Sequence, residues 1–354
     1  MSRLVLALLA AAGGSVLLAP TARAQQGERF TLAGDSMAVY NLVGQATVEP
    51  GSGAQVVVTV RRAGADAAKL RVERGPVRGR QTLRVLYPED RIRYAPYGRG
   101  SRTETRIDAD GTWGHSKGHG WLDGGRRVVI SGDRGMDASA DLRIEVPAGR
   151  AVAVYQGVGR ITARNVNGRI HLDGMSAGVS ATAMRGTLTI DVGSGDVSVT
   201  GMRGELNVDT GSGEVEVRDV VGRDLVIDTG SGGVTGADLS TQRLNVDTGS
   251  GDVALDGVRA PEILIDTGSG SVGLTLVTAF RSLDIDTGSG DVTVRVPGEL
   301  DATVAVETSS GDIRTDFTVT GARREEGELH GRIGRGQGTL AIETGSGDVQ
   351  LLRR

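Results

Sequence analysis

Through most of the chain, apolar and polar positions alternate with a period of two, and no stretch sustains the 3.6-residue period of an amphipathic helix. The clearest alternation runs from Leu188 to Val294. There, Leu206-Asn-Val-Asp-Thr-Gly-Ser-Gly-Glu-Val-Glu-Val217 places apolar side chains at Leu206 and Val208, turns on glycine, and resumes at Val215 and Val217. Such a pattern predicts short strands with one face buried, separated by tight corners.

The corner phrase recurs. Asp191-Val-Gly-Ser-Gly is followed by Asp-Thr-Gly-Ser-Gly from Asp209, Asp228, Asp247, Asp266 and Asp286, with looser copies at Glu307 and Glu343. The intervals are 18, 19, 19, 19, 20, 21 and 36 residues. A fixed period of this size is the signature of a stacked repeat, in which one coil cannot cover its own apolar face but its neighbours can. The predicted fold is therefore all-β, a parallel single-stranded β-solenoid (β-helix) with coils of about 19 residues.

Comparison among the copies states what the corner requires. The second glycine stands in all eight (Gly195, Gly213, Gly232, Gly251, Gly270, Gly290, Gly311 and Gly347), whereas Ser309 replaces the first glycine in the seventh copy. The second position is expected to take a positive φ angle. Alternation points Thr210, Thr229 and Thr248 inward or into the turn, and it points Asp209 and its counterparts outward as one acidic column. A second, incomplete column holds Asp196, Glu214, Asp252, Asp291, Asp312 and Asp348. Each aspartate is expected to accept from the N–H groups of its own turn. Calcium held between coils is the alternative, and the expectation is that calcium and EDTA leave the melting temperature nearly equal.

The phrase Leu225-Val-Ile-Asp228-Thr-Gly-Ser231 is similar to the active-site motif of aspartic proteases. Those enzymes bring two aspartates together from separate lobes, which an interval of 19 residues cannot do. The protease reading is rejected on that ground.

Earlier in the chain the period is absent, although Met37–Leu42, Gln55–Val60, Thr82–Tyr87 and Arg127–Ile130 still read as strands. Residues 25–140 are expected to form an irregular all-β section that begins or caps the array, with a long Gly/Arg-rich loop over 88–125. Both tryptophans, Trp113 and Trp121, lie in that loop beside His115 and His119. Glycines disfavour a helical His-ligand pair there, no third ligand accompanies it, and the expected role is a surface loop folding over the solenoid. The solenoid domain is expected over 141–354, with worn copies at Tyr155–Ile161 and Leu172–Val179. An insertion over 321–333 should form a hairpin or loop, and Arg353 and Arg354 should blunt the terminal strand edge.

Composition refines this picture. Met1–Ala24, with Arg3, an apolar run and Ala22-Arg23-Ala24, is expected to be a signal peptide. The mature chain then has no stretch long enough for a transmembrane helix and is expected to be periplasmic, cell-surface or extracellular. With no cysteine, stability must come from stacking. The formal charge of −4 becomes about −6 without Arg3 and Arg23, and interspersed charges give no basic patch for nucleic acid.

The signal peptide, early β section, Val-Pro-Ala-Gly149 lead-in and serial Asp-Thr-Gly-Ser-Gly coils resemble the bacterial putative adhesin family, a domain of unknown function, over roughly Asp141 to Leu352. The resemblance implies a β-helix-like envelope or secreted protein and supplies no catalytic residues. The expectation is a non-enzymatic interaction scaffold for an envelope or extracellular partner, protein or polysaccharide, with no catalytic, cofactor or metal residues assigned. The alternative is a carbohydrate-active enzyme on a pectate-lyase-like β-helix, which would need one coil with a distinct acid and base cluster.

Overall fold

The computed structural model describes residues 27–114 and 125–354. The expected signal peptide over 1–24, and His115, His119 and Trp121, lie outside the described residues. The described chain contains no α-helix, only strands and two short 3₁₀ turns, Ala67–Lys69 and Ala95–Tyr97.

Each repeat gives one strand to each of two parallel ladders. On the first ladder, Leu206 pairs with Leu225, Asp209 with Asp228 and Ser212 with Ser231. On the second, Val215 pairs with Val234 and Val217 with Gly236. Leu206, Val208, Val215, Val217 and Val220 are at most 1% exposed, and their counterparts continue the rows through the core. The fold is thus an all-β parallel β-solenoid. Parallel in-register stacking follows because a slip of one residue would turn every aliphatic side chain outward.

The array begins earlier than the period in the sequence indicates. The strand Ser36–Pro50 is a full coil: it pairs in parallel with Arg150–Arg164, aligning Val39 with Val154, Tyr40 with Tyr155 and Ala46 with Ile161. Residues 51–149 leave the stack between these two coils and return over its open end. Arg80–Leu86 covers the first half of Ser36–Pro50, and Ser139–Val146 covers the second. Antiparallel strands then close this end, with Val56–Ala63 on Ser139–Val146 and Arg71–Val77 on Arg80–Leu86. The section expected to begin or cap the solenoid contains both a coil and a cap.

The stretch 88–125, expected as a long loop, contains the strands Arg91–Arg93 and Arg102–Ile107. Together with Arg126–Ser131 and Met136–Asp137 they form a separate four-stranded sheet. Hydropathy could not reveal the second of these strands, because Arg102, Glu104 and Arg106 alternate with Thr103 and Thr105 and only Ile107 is buried. Cross-strand ion pairing substitutes for an apolar row: Glu104 lies between Arg102 and Arg127.

At the other end, spatial order departs from chain order. Gly338–Thr344 pairs with Ser282–Thr287 on one side and with Ala302–Thr308 on the other. Likewise Val349–Arg353 lies between Val292–Val296 and Ile313–Thr315. The last copy in sequence is therefore inserted between the sixth and seventh. Thr320–Glu325 and Glu328–Ile333 form a hairpin, and its second strand covers Ala302–Thr308 in antiparallel fashion. Arg353 and Arg354 do not blunt an edge, contrary to expectation. The Arg353 guanidinium sits over the Phe317 ring at 5.1 Å, and the terminal edges belong to the charged hairpin strand Thr320–Glu325 on the first ladder and to Ile313–Thr315 on the second.

Candidate functional site

The most extended chemical feature is the acidic column on the first ladder. Asp173, Asp191, Asp209, Asp228, Asp247, Asp266 and Asp286 stand in register, followed in space by Glu343 and then Glu307. Adjacent strands lie about 4.8 Å apart, at which unit charges repel by roughly 0.9 kcal/mol in water and by more near a low-dielectric wall. Among the described residues, no arginine, lysine or histidine pairs with Asp191, Asp247, Asp266 or Asp286 within 4.0 Å. The row at the start of these strands is compensated, through Arg243–Asp224 at 2.6 Å and Arg281–Glu262 at 2.6 Å. The Asp266 carboxyl is pushed above the usual range by partial burial and by Asp247, Asp286 and Asp284.

The corner beneath this column explains the invariant glycines. The second glycine has φ between +143° and +159° at Gly195, Gly213, Gly232, Gly290, Gly311 and Gly347. The stronger constraint is close approach. A Cβ on Gly213 would lie 2.4 Å from the Gly195 carbonyl oxygen, and on Gly270 it would lie 2.1 Å from that of Gly251. The threonines point inward, as alternation requires, and are at most 6% exposed. Thr248, Thr267 and Thr287 donate to the carbonyl oxygens of Gly232, Gly251 and Gly270 at 3.4, 3.3 and 3.1 Å. Each hydroxyl thus satisfies the corner of the preceding coil.

The second acidic column binds across coils, not within its own turn as expected. Asp196 accepts from the Glu214 N–H at 3.1 Å, Asp252 from Ser271 N–H at 2.8 Å, and Asp291 from Asp348 N–H at 2.9 Å. Asp348 in turn accepts from Asp312 N–H at 2.9 Å, which repeats the inserted order of the last coils. Carboxylates here serve amides that the corner removes from the ladder.

One end of the outward column is distinct. Asp173 is preceded in register by Tyr155 and Tyr40, whose rings stack at 4.3 Å with 3° between planes. Trp113 meets Tyr40 edge-on at 5.2 Å and is 3% exposed, so this tryptophan does fold against the solenoid. His171 lies edge-on to Tyr155, with Nε2 3.9 Å from Asp173. Gly114 approaches so closely that a Cβ there would be 3.0 Å from Asp173 Oδ2. Burial, then the Asp191 charge, pushes the Asp173 carboxyl up to about 7. Sequence comparison identifies Asp173 as a worn copy but not its environment, because Tyr40 and Trp113 come from other parts of the chain. Among the described residues, no cluster of three His, Cys, Asp or Glu side chains is arranged to hold a metal ion. No described helix is long and apolar enough to cross a membrane.

A repeating parallel coil with glycine corners, inward threonines and an outward carboxylate row defines a β-solenoid repeat protein. The chain belongs to the Toastrack DUF4097 family, whose model matches residues 134–352. A "putative cell adhesion protein" from Clostridium sporogenes ATCC 15579 is similar at 10% identity and a TM-score of 0.23, over 93% of this chain and 100% of its own. Among curated proteins, none matches the sequence.

Proposed function

We propose that this protein is an exported, non-enzymatic interaction scaffold of the cell envelope or extracellular space, acting in an adhesin-like manner. The observation that supports the reading is the column of nine in-register carboxylates from Asp173 to Glu307. It presents the same chemistry once per coil. A periodic face suits a long partner, because many weak contacts at fixed spacing combine into one strong one. The sign of the column favours a partner carrying cationic groups, whether protein or amino-bearing polysaccharide. Export rests on the leader-like Met1–Ala24.

The test compares the mature chain 25–354 with a variant carrying Asp209→Asn, Asp228→Asn, Asp247→Asn and Asp266→Asn, each immobilised and exposed to envelope extract. Capture that is lost in the variant and weakens with salt supports the reading; equal capture by both proteins refutes it. The enzymatic alternative has one observation in its favour. Asp173 and Asp191 are adjacent carboxyls held in different environments, as paired acid–base chemistry requires. Cleavage of an envelope polysaccharide that Asp173→Asn abolishes would establish it.

A further inference from the structure

Charge that is interspersed along the sequence is separated in the fold. Residues 27–114 and 125–137 hold 17 arginine or lysine and 12 acidic side chains, whereas residues 138–354 hold 20 and 31. The N-terminal section is therefore basic and the repeat array acidic.

The basic excess is displayed on one face. In the four-stranded sheet, Arg102 aligns with Ser131, Glu104 with Val129 and Arg106 with Arg127, while Arg91 aligns with Val129 and Arg93 with Ser131. Residues in register share a face, which thus carries Arg91, Arg93, Arg102, Arg106 and Arg127 against Glu104 and Asp137. The opposite face holds Ile92, Ile107, Val128 and Ile130, each at most 5% exposed. From that side the Thr103 hydroxyl lies 2.8 Å from the Ser176 hydroxyl of the solenoid. The arginines consequently point away from their own array.

Glu104 bonds both Arg102 and Arg127, which orders the two guanidinium groups without cancelling the set. Arg91 and Arg134 have no carboxylate within 4.0 Å among the described residues. Together with Arg102, Val129, Ser131 and Asp133 they line a hollow of about 510 Å³, where Asp133 is engaged by the Gly100 N–H at 2.9 Å. Ordered guanidinium groups select carboxylates or phosphates. The chain itself supplies the complement, because Asp191, Asp247, Asp266 and Asp286 lack a cationic partner among the described residues. Successive carboxylates repeat at the strand spacing of about 4.8 Å, which also separates Arg106 from Arg127.

We propose that the arginine face of one copy docks on the carboxylate column of a second copy, so that the protein self-associates through two unlike surfaces. Such a contact is heterologous and continues into a chain unless its rotation closes. The inference rests on the reading of the column as a docking face, and it names a second copy as the cationic partner. Opposite fields steer the encounter, and salt weakens it.

Sedimentation velocity of the mature chain 25–354 at about 0.01 M and about 1 M salt tests it. Association is expected at the lower salt and a monomer at the higher, as the Debye length falls from about 30 Å to about 3 Å. Two variants each remove one surface: Arg91→Glu with Arg106→Glu and Arg134→Glu, and the four-aspartate variant Asp209→Asn, Asp228→Asn, Asp247→Asn and Asp266→Asn. Each alone should associate about tenfold or more weakly than the parent. Their equimolar mixture should form a one-to-one dimer, because one variant retains the column and the other the arginines. A monomeric parent at low salt, self-association of either variant at the parent's strength, or a mixture that stays monomeric would each overturn the proposal. Polyphosphate binding by the parent but not by the arginine variant, with no self-association, would assign the face to an anionic polymer instead. Should the glutamates prevent folding, Arg91→Gln with Arg106→Gln and Arg134→Gln makes the same comparison. Capture from envelope extract by the arginine variant, whose column is intact, reports separately on the function proposed for the column.

Discussion

Removing residues 338–354 separates two ways of stacking the last coils. These residues bury Leu340, Ile342, Val349 and Leu351 at 1–2% exposure. At roughly 1.5–3 kcal/mol for each aliphatic side chain, their own burial is worth about 6–12 kcal/mol. If the last copy in sequence were also last in space, its loss would uncover one neighbour and leave the rest intact. In the observed order Ala302–Thr308 loses its parallel partner, and the hairpin Thr320–Ile333 stays paired to the rest of the sheet only through that detached strand. Val304, Val306, Leu329 and Ile333 are then uncovered too, and the loss roughly doubles. Hydrogen exchange of 25–337 against 25–354 reads this directly. Amides of 302–308 and 328–333 should lose protection, while those of Asp224–Ser231 and Arg243–Thr248, several coils away, should keep it. Full protection of 302–308 in the truncated chain would refute the reasoning.

Other expectations follow from the same geometry. Asp173 holds its proton to about pH 7 when folded, whereas the unfolded carboxyl releases it near pH ~4, so stability falls as pH rises between these values and is level above them. Asp173→Asn should therefore match the parent near pH 4 and exceed it at pH 8, by up to roughly 4 kcal/mol in denaturant titrations; identical pH profiles would exclude this. Thr287→Val removes a donor to the Gly270 carbonyl and should cost about 1 kcal/mol. Thr229→Val, where the hydroxyl has no partner among the described residues, should be neutral or stabilising, and equal losses at both sites would contradict the assignment. Millimolar calcium and EDTA should give nearly the same melting temperature; a large rise with calcium would mean that the column coordinates the ion.

The repeat was legible because period and alternation act together. Leu206, Val208, Val215 and Val217 specify a coil, and Gly213 with its counterparts specifies a corner that admits no Cβ. The inward threonines follow from alternation alone. The coil Ser36–Pro50 was hidden because its stacking partner begins about a hundred residues later, and because polar Asn41 is buried in it opposite the equally buried Gln156 of that partner. Their side chains pair at 3.1 Å, and Tyr87 donates to Asn41 Oδ1 at 2.9 Å. The order of the last two coils could not be read from motifs, since Glu307 and Glu343 present the same pattern to either neighbour. The interval of 36 residues was the one trace of the inserted strands. Asp173 and the arginine face depend on side chains brought from separate segments, which no local pattern records.

The central claim is the in-register stack, including its inserted final coil, and the absence of cysteine makes it directly measurable. Paired substitutions Asp286→Cys with Glu343→Cys, and Asp286→Cys with Glu307→Cys, place thiols one and two strands apart. One strand spacing is about 4.8 Å, within the roughly 4.4–6.8 Å Cα separation of disulfides, and two are about 9.6 Å, beyond it. Mild oxidation should cross-link the 286/343 pair and leave the 286/307 pair reduced. Cross-linking of 286/307 with 286/343 unreacted would show the coils stacked in chain order and contradict the structure.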